Sequence, residues 1–140
     1  MTDLLKLARI QTILVFLFII LKFIRPTVLN SSTYNWVKIV LLSLPNFFEA
    51  IIGTFLLTGI GLYINFRILP EKTKISIYKL YVLATILAGV YVITQELKIH
   101  NLGGNNVYDI NDIFFSFIGL IVGYFMIRRI QPKIYNTNRD

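Results

Sequence analysis

Asp109, Asp112, Ser116, Gly119 and Gly123 follow one another at spacings of 3, 4, 3 and 4 residues. On a helix that spacing lays all five along one stripe. Two carboxylates at a helix mouth, with a hydroxyl one turn deeper, can accept hydrogen bonds from a cation, a polar headgroup or a basic side chain. Gln95 and Glu96 close one apolar run, and Glu49 lies one turn inside another. Paired carboxylates can also do acid–base work. An enzymatic alternative, a hydrolase or transferase, would draw on Glu96, Asp109, Asp112 and His100. No nucleophile or metal-ligand motif accompanies them, so we expect no catalytic residue and no metal or other cofactor. The plainest alternative is a solvated rim. In that reading Asp109 and Asp112 cap a helix N-terminus, where the dipole favours acids, and Glu96 is a wet loop-end carboxylate.

These groups must be positioned by elements that lie in a membrane. Of the 140 residues, 56% are hydrophobic and 15% charged. Soluble domains average about 45–50% apolar and about 25% charged. The length suits one domain. With no cysteine, disulfides and thiolate chemistry are excluded. The net charge of +7 comes from basic residues gathered at the ends of apolar runs. That pattern suits anionic lipid headgroups as partners rather than nucleic acid.

Apolar runs predict four transmembrane helices, at about 4–24, 46–66, 77–97 and 110–130, in one all-α membrane domain covering 1–140. Trp36 and Lys38 ahead of a short apolar stretch predict an interfacial helix between the first two spans. Small residues mark packing faces. Gly53 shares a face with Glu49, Ala84 and Ala88 lie on a stripe with Tyr81, Tyr91 and Gln95, and Gly119-x-x-x-Gly123 is a small-xxx-small pair.

With four spans, both termini share a side with Lys6, Arg9, Arg67, Lys72, Lys74, Lys79, Arg128, Arg129, Lys133 and Arg139. Only Lys22, Arg25, Lys38 and Lys98 fall on the other. The positive-inside rule therefore predicts cytoplasmic termini. Glu49, Gln95, Glu96, Asp109, Asp112 and Ser116 then form an outward-facing polar cluster.

The segment Asn106-Val-Tyr-Asp109-Ile-Asn-Asp112-Ile-Phe-Phe-Ser116-Phe-Ile-Gly119-Leu-Ile-Val-Gly123-Tyr124 resembles the final helix of the VanZ-like family of small bacterial membrane proteins. Asp109, Asp112, Gly119 and Gly123 match that family's pattern in type and spacing. Asn106 stands where the family has Arg, and Ser116 where it has Asn. Gln95 and Glu96 look like the acid and Gln that commonly end the family's preceding span. The His that often opens its second span is missing here, where the chain reads Pro45-Asn46-Phe-Phe-Glu49. The resemblance covers the last third of the chain and implies a multi-pass protein of the bacterial cytoplasmic (inner) membrane. We expect a non-enzymatic protein whose outward cluster binds a lipid headgroup, a lipopeptide or a cationic group. The other expectation is an accessory subunit of a larger membrane complex, with membrane protein subunits as partners alongside lipids.

Overall fold

A computed structural model describes residues 2–31, 34–97 and 110–132. Its four long helices are α1 (Thr2–Ser31), α2 (Asn35–Tyr63), α3 (Ile77–Glu96) and α4 (Ile110–Ile130). All four are long and apolar enough to cross a membrane. Together they make a helical bundle, with no strand among the described residues.

Two helices outrun the lengths predicted for them. α1 continues through Pro26 to Ser31. The interfacial helix expected ahead of the second span is helical but is not separate, because residues 35–44 form the first turns of α2 and run straight into Pro45. A proline removes one helical hydrogen bond, and in water that usually ends a helix. Membrane helices tolerate the loss where packing encloses it, and Pro45 is buried. At about 1.5 Å per residue, the 29 residues of α2 extend roughly 43 Å, beyond a hydrocarbon core of roughly 30 Å. The surplus carries Trp36 at one end, exposed as an interfacial aromatic should be.

α2 is the centre of the bundle. It packs most extensively on α4, then on α3 and α1, while α1 touches α4 only marginally. Contacts at glycines set the registers. The backbone of Gly53 lies against Ala88, and that of Gly61 against Leu80, so α2 and α3 are antiparallel. Gly119 lies against Phe47 and Ala50, and Gly123 against Ile51 and Thr54, so α4 runs parallel to α2. Gly59 of α2 lies near Leu7, which puts the start of α1 beside the end of α2. Lys6 and Arg9 therefore share one end of the bundle with Arg67, Lys72, Lys74 and Lys79. We call this the basic end and its opposite the distal end.

The larger apolar cluster is built on Ile51, Phe55, Leu62, Leu80, Tyr81 and Ile127, with Leu7 and Leu14 added by α1. A smaller one joins Ala50, Ala88, Val92 and Leu120. Two polar ties close the basic end. After Tyr63 the helix widens into a π turn, Ile64–Ile68, in which the Leu69 N–H donates to the Ile64 carbonyl at 3.0 Å. This turn carries Asn65 inward, where it is 2% exposed. The Asn65 amide donates to the Ile75 carbonyl at 3.0 Å and accepts from the Ile75 N–H at 2.9 Å. At the other tie, Gln131 leaves α4 at φ 48°, a left-handed exit. The Pro132 carbonyl that follows accepts a hydrogen bond from the Tyr81 hydroxyl.

Candidate polar site at the distal end

The seam between α2 and α4 explains how polar atoms come to be enclosed. A Cβ on Gly119 would run into the Phe47 carbonyl and stand 2.9 Å from the Ala50 Cβ. A Cβ on Gly123 would lie 3.3 Å from the Thr54 Cβ. Glycines at these two positions let the backbones close together, as small residues do at membrane-helix interfaces. One turn further toward the distal end, the same closeness shuts in whatever side chains the sequence supplies. On α4 these are Ser116 and then Asp112. On α2, one turn before Phe47, it is Ser43.

Ser43 and Ser116 are both fully buried. The Oγ atoms of both, and the Oδ1 atom of Asp112, are buried with no hydrogen-bond partner among the described residues. Asp112 as a residue is half-buried, in the first turn of α4. Unpaired polar atoms of this kind are uncommon, because each carries a desolvation cost of about 1–3 kcal/mol. Outside the seam, the Thr58 hydroxyl on α2 is also buried without a partner among the described residues, whereas other hydroxyls are satisfied locally. Thr54, for example, donates to the Ala50 carbonyl at 2.8 Å.

The registers locate the other predicted residues. Carrying the Gly53–Ala88 pairing outward brings Gln95 to the level of Asn46, and the α2–α4 pairing brings Asn46 to the level of Ser116. Asn46, Gln95 and Glu96 are all half-buried there. Glu49, also half-buried, lies about one turn deeper, and the charge acting on it is the Lys22 ammonium of α1. Lys22 itself stands over the Phe18 ring at 5.1 Å from the centroid. Glu49 makes no close ion pair with Lys22, and it stands apart from Ser43, Asp112 and Ser116, which belong to the α2–α4 seam. Asp109 and His100 lie outside the described residues. Among side chains that are described, the one close ion pair is Lys74 with Glu71, at the basic end. No group of three or more His, Cys, Asp or Glu suited to a metal is present among the described residues.

Ala84 and Ala88 are buried at α3 contacts, and Gly53 meets Ala88 at an ordinary 3.7 Å. Three contributors escape a reading of the sequence. Ser43 belongs to no stripe of acids and carries no spacing signal. Gly89 faces Leu120, whose Cδ1 would lie 3.0 Å from an added Cβ. Asn65 could have been suspected only as an isolated amide in an apolar run shortly before Pro70.

Chemically, the seam offers three acceptor oxygens within about one helical turn. One belongs to a carboxylate and two to hydroxyls that can also donate. Among the described residues it contains no positioned nucleophile–base pair. No protein-family model, no curated protein and no solved structure matches this chain.

Proposed function

We propose that this chain is a VanZ-like, non-enzymatic protein of the bacterial cytoplasmic membrane. Its distal polar seam faces outward and binds a cationic or polar group, such as the head of a lipid or lipopeptide. The observation that carries this reading is the set of buried oxygens on Ser43, Asp112 and Ser116 that have no hydrogen-bond partner among the described residues. A primary ammonium supplies three N–H donors and a positive charge. Three acceptors including one carboxylate suit it, and binding would offset the desolvation cost of these buried oxygens. Asp109, three residues before Asp112 in the sequence, would add a second carboxylate. Gln95 and Glu96 would line the approach from α3.

The orientation rests on charge asymmetry, with the basic end in the cytoplasm. Because the chain has no cysteine, single cysteines placed at Tyr34 and at Ser76 can be labelled from either side of intact cells without background. The reading requires Tyr34→Cys to react with an impermeant maleimide from outside and Ser76→Cys to react only after lysis.

The binding test uses purified protein in nanodiscs and a fluorescent lipopeptide bearing a primary ammonium. Asp109→Asn combined with Asp112→Asn should abolish binding and leave expression and gel-filtration behaviour intact. Binding that survives the double substitution would refute a carboxylate-centred site.

A further inference from the structure

The basic end carries a second feature, separate from the polar seam. Two apolar grooves flank a ridge made by Ile75 and Leu83. One lies between α2 and α3, has a volume of about 280 Å³ and is walled by Leu57, Ile60, Ile64 and Leu87. Leu69 and Ile75 also line it. The other lies along the outer face of α3 and is lined by Tyr78, Lys79, Val82 and Ile86. The ridge residues belong to both grooves. Ile75 is fixed in place by its two hydrogen bonds to Asn65, so the grooves are preformed.

The charge around this ridge has one sign. Arg67, Lys72, Lys74 and Lys79 lie within the segment that forms it, against Glu71 as the single acid. Glu71 is already engaged by Lys74, which also stands over the Phe66 ring at 5.8 Å. Arg67, Lys72 and Lys79 are exposed. Lys79 lines the outer groove itself, so a cation borders this shallow apolar face. Beside it stands Tyr78, exposed, with the ring chemistry favoured at a membrane interface.

We infer that this ridge is the binding site of one anionic diacyl phospholipid. Its two chains straddle Ile75 and Leu83, and its phosphate is held by Lys79 with Lys72 and Arg67. A groove and an adjoining shallow apolar face suit two chains joined at one head. The excess of cations at that head selects an anionic lipid over a zwitterionic one. The site shares no residue with the polar seam and stands whether or not the seam binds a ligand.

Native mass spectrometry of detergent-purified protein, titrated separately with phosphatidylglycerol and phosphatidylcholine of identical chains, tests it. The wild type should retain one phosphatidylglycerol in preference to phosphatidylcholine. Each basic side chain near an anionic surface favours binding by about fivefold. Lys72→Gln with Lys79→Gln should therefore lower phosphatidylglycerol retention by roughly twenty-five-fold and leave phosphatidylcholine unchanged. Lys79→Arg should keep the preference, which controls for folding. Leu83→Trp, filling the ridge, should weaken both lipids. Equal retention of the two lipids by the wild type would overturn the site. So would a loss of preference just as large from Arg128→Gln with Arg129→Gln, since that would mean diffuse surface charge.

Discussion

The Tyr81 hydroxyl in the middle of the chain donates to the Pro132 carbonyl at 3.0 Å, across 51 residues of sequence. Tyr81 is 1% exposed, so this bond is made out of contact with solvent. It ties α3 to the point where the chain leaves α4, and the left-handed backbone at Gln131 aims the carbonyl at it. Tyr81→Phe keeps the ring and its edge-on contact with Tyr78, whose centroid is 6.4 Å away. It removes the hydroxyl that donates to Pro132. The expected loss is about 1 kcal/mol, since buried hydrogen bonds in membrane bundles measure roughly 0.6–1.7 kcal/mol. Thermal unfolding in detergent should show a small drop with unchanged cooperativity. An unchanged midpoint would mean that the Pro132 carbonyl finds another donor.

Gly119 and Gly53 make a paired test of the bundle. Both are small residues on helix faces, but the space around them differs. A Cβ at Gly119 collides with the Phe47 carbonyl, which is backbone and cannot rotate away. A Cβ at Gly53 meets only the Ala88 methyl at 3.7 Å. Gly119→Ala should cost about 1–3 kcal/mol through overpacking. Gly53→Ala should be neutral or stabilising, because alanine is the better helix former by about 1 kcal/mol. Equal effects from the two substitutions would contradict the tight α2–α4 approach.

Sequence periodicity carries some of this structure and misses the rest for physical reasons. The four long helices were legible because about 20 apolar residues in a row have few alternatives to crossing a bilayer. The junction before Pro45 was not. Proline reads as a helix breaker on the basis of chains in water, yet here α1 runs through an exposed Pro26 and α2 through a buried Pro45. Small residues at helical spacing mark a face, yet the spacing of Gly119 and Gly123 does not say which helix will meet them. Ser43 and Asn65 had no periodic signal at all. Their roles come from what lies across a seam or ten residues further along the chain, and neither is encoded locally.

Asn65 should control the connection between α2 and α3. Its amide satisfies both backbone groups of Ile75. Asn65→Ala leaves that N–H and carbonyl without partners, each worth about 1–3 kcal/mol if they stay buried. The segment avoids that cost by opening to water. Hydrogen exchange at the Ile75 amide should accelerate, and protease cleavage should appear between Pro70 and Ser76. Asn65→Asp should fail to rescue, because a carboxylate can accept from the N–H but has no donor for the carbonyl. Protection retained in both variants would show that the π turn holds the segment without Asn65.

Ser116 separates a binding seam from a packing seam. An ordinary buried serine that makes a hydrogen bond destabilises the fold when it becomes alanine. The Ser116 hydroxyl is fully buried and makes none among the described residues. Removing it deletes an unsatisfied polar atom and leaves a residue with better helix propensity. Ser116→Ala should therefore raise the ligand-free unfolding midpoint, by the equivalent of about 1 kcal/mol. The same change should weaken ammonium binding in the nanodisc assay, since one of the three acceptors is gone. Stability and binding moving in opposite directions is the signature of an oxygen kept for a ligand. If Ser116→Ala destabilises the protein, the hydroxyl has a structural partner and the seam loses its case as a binding site.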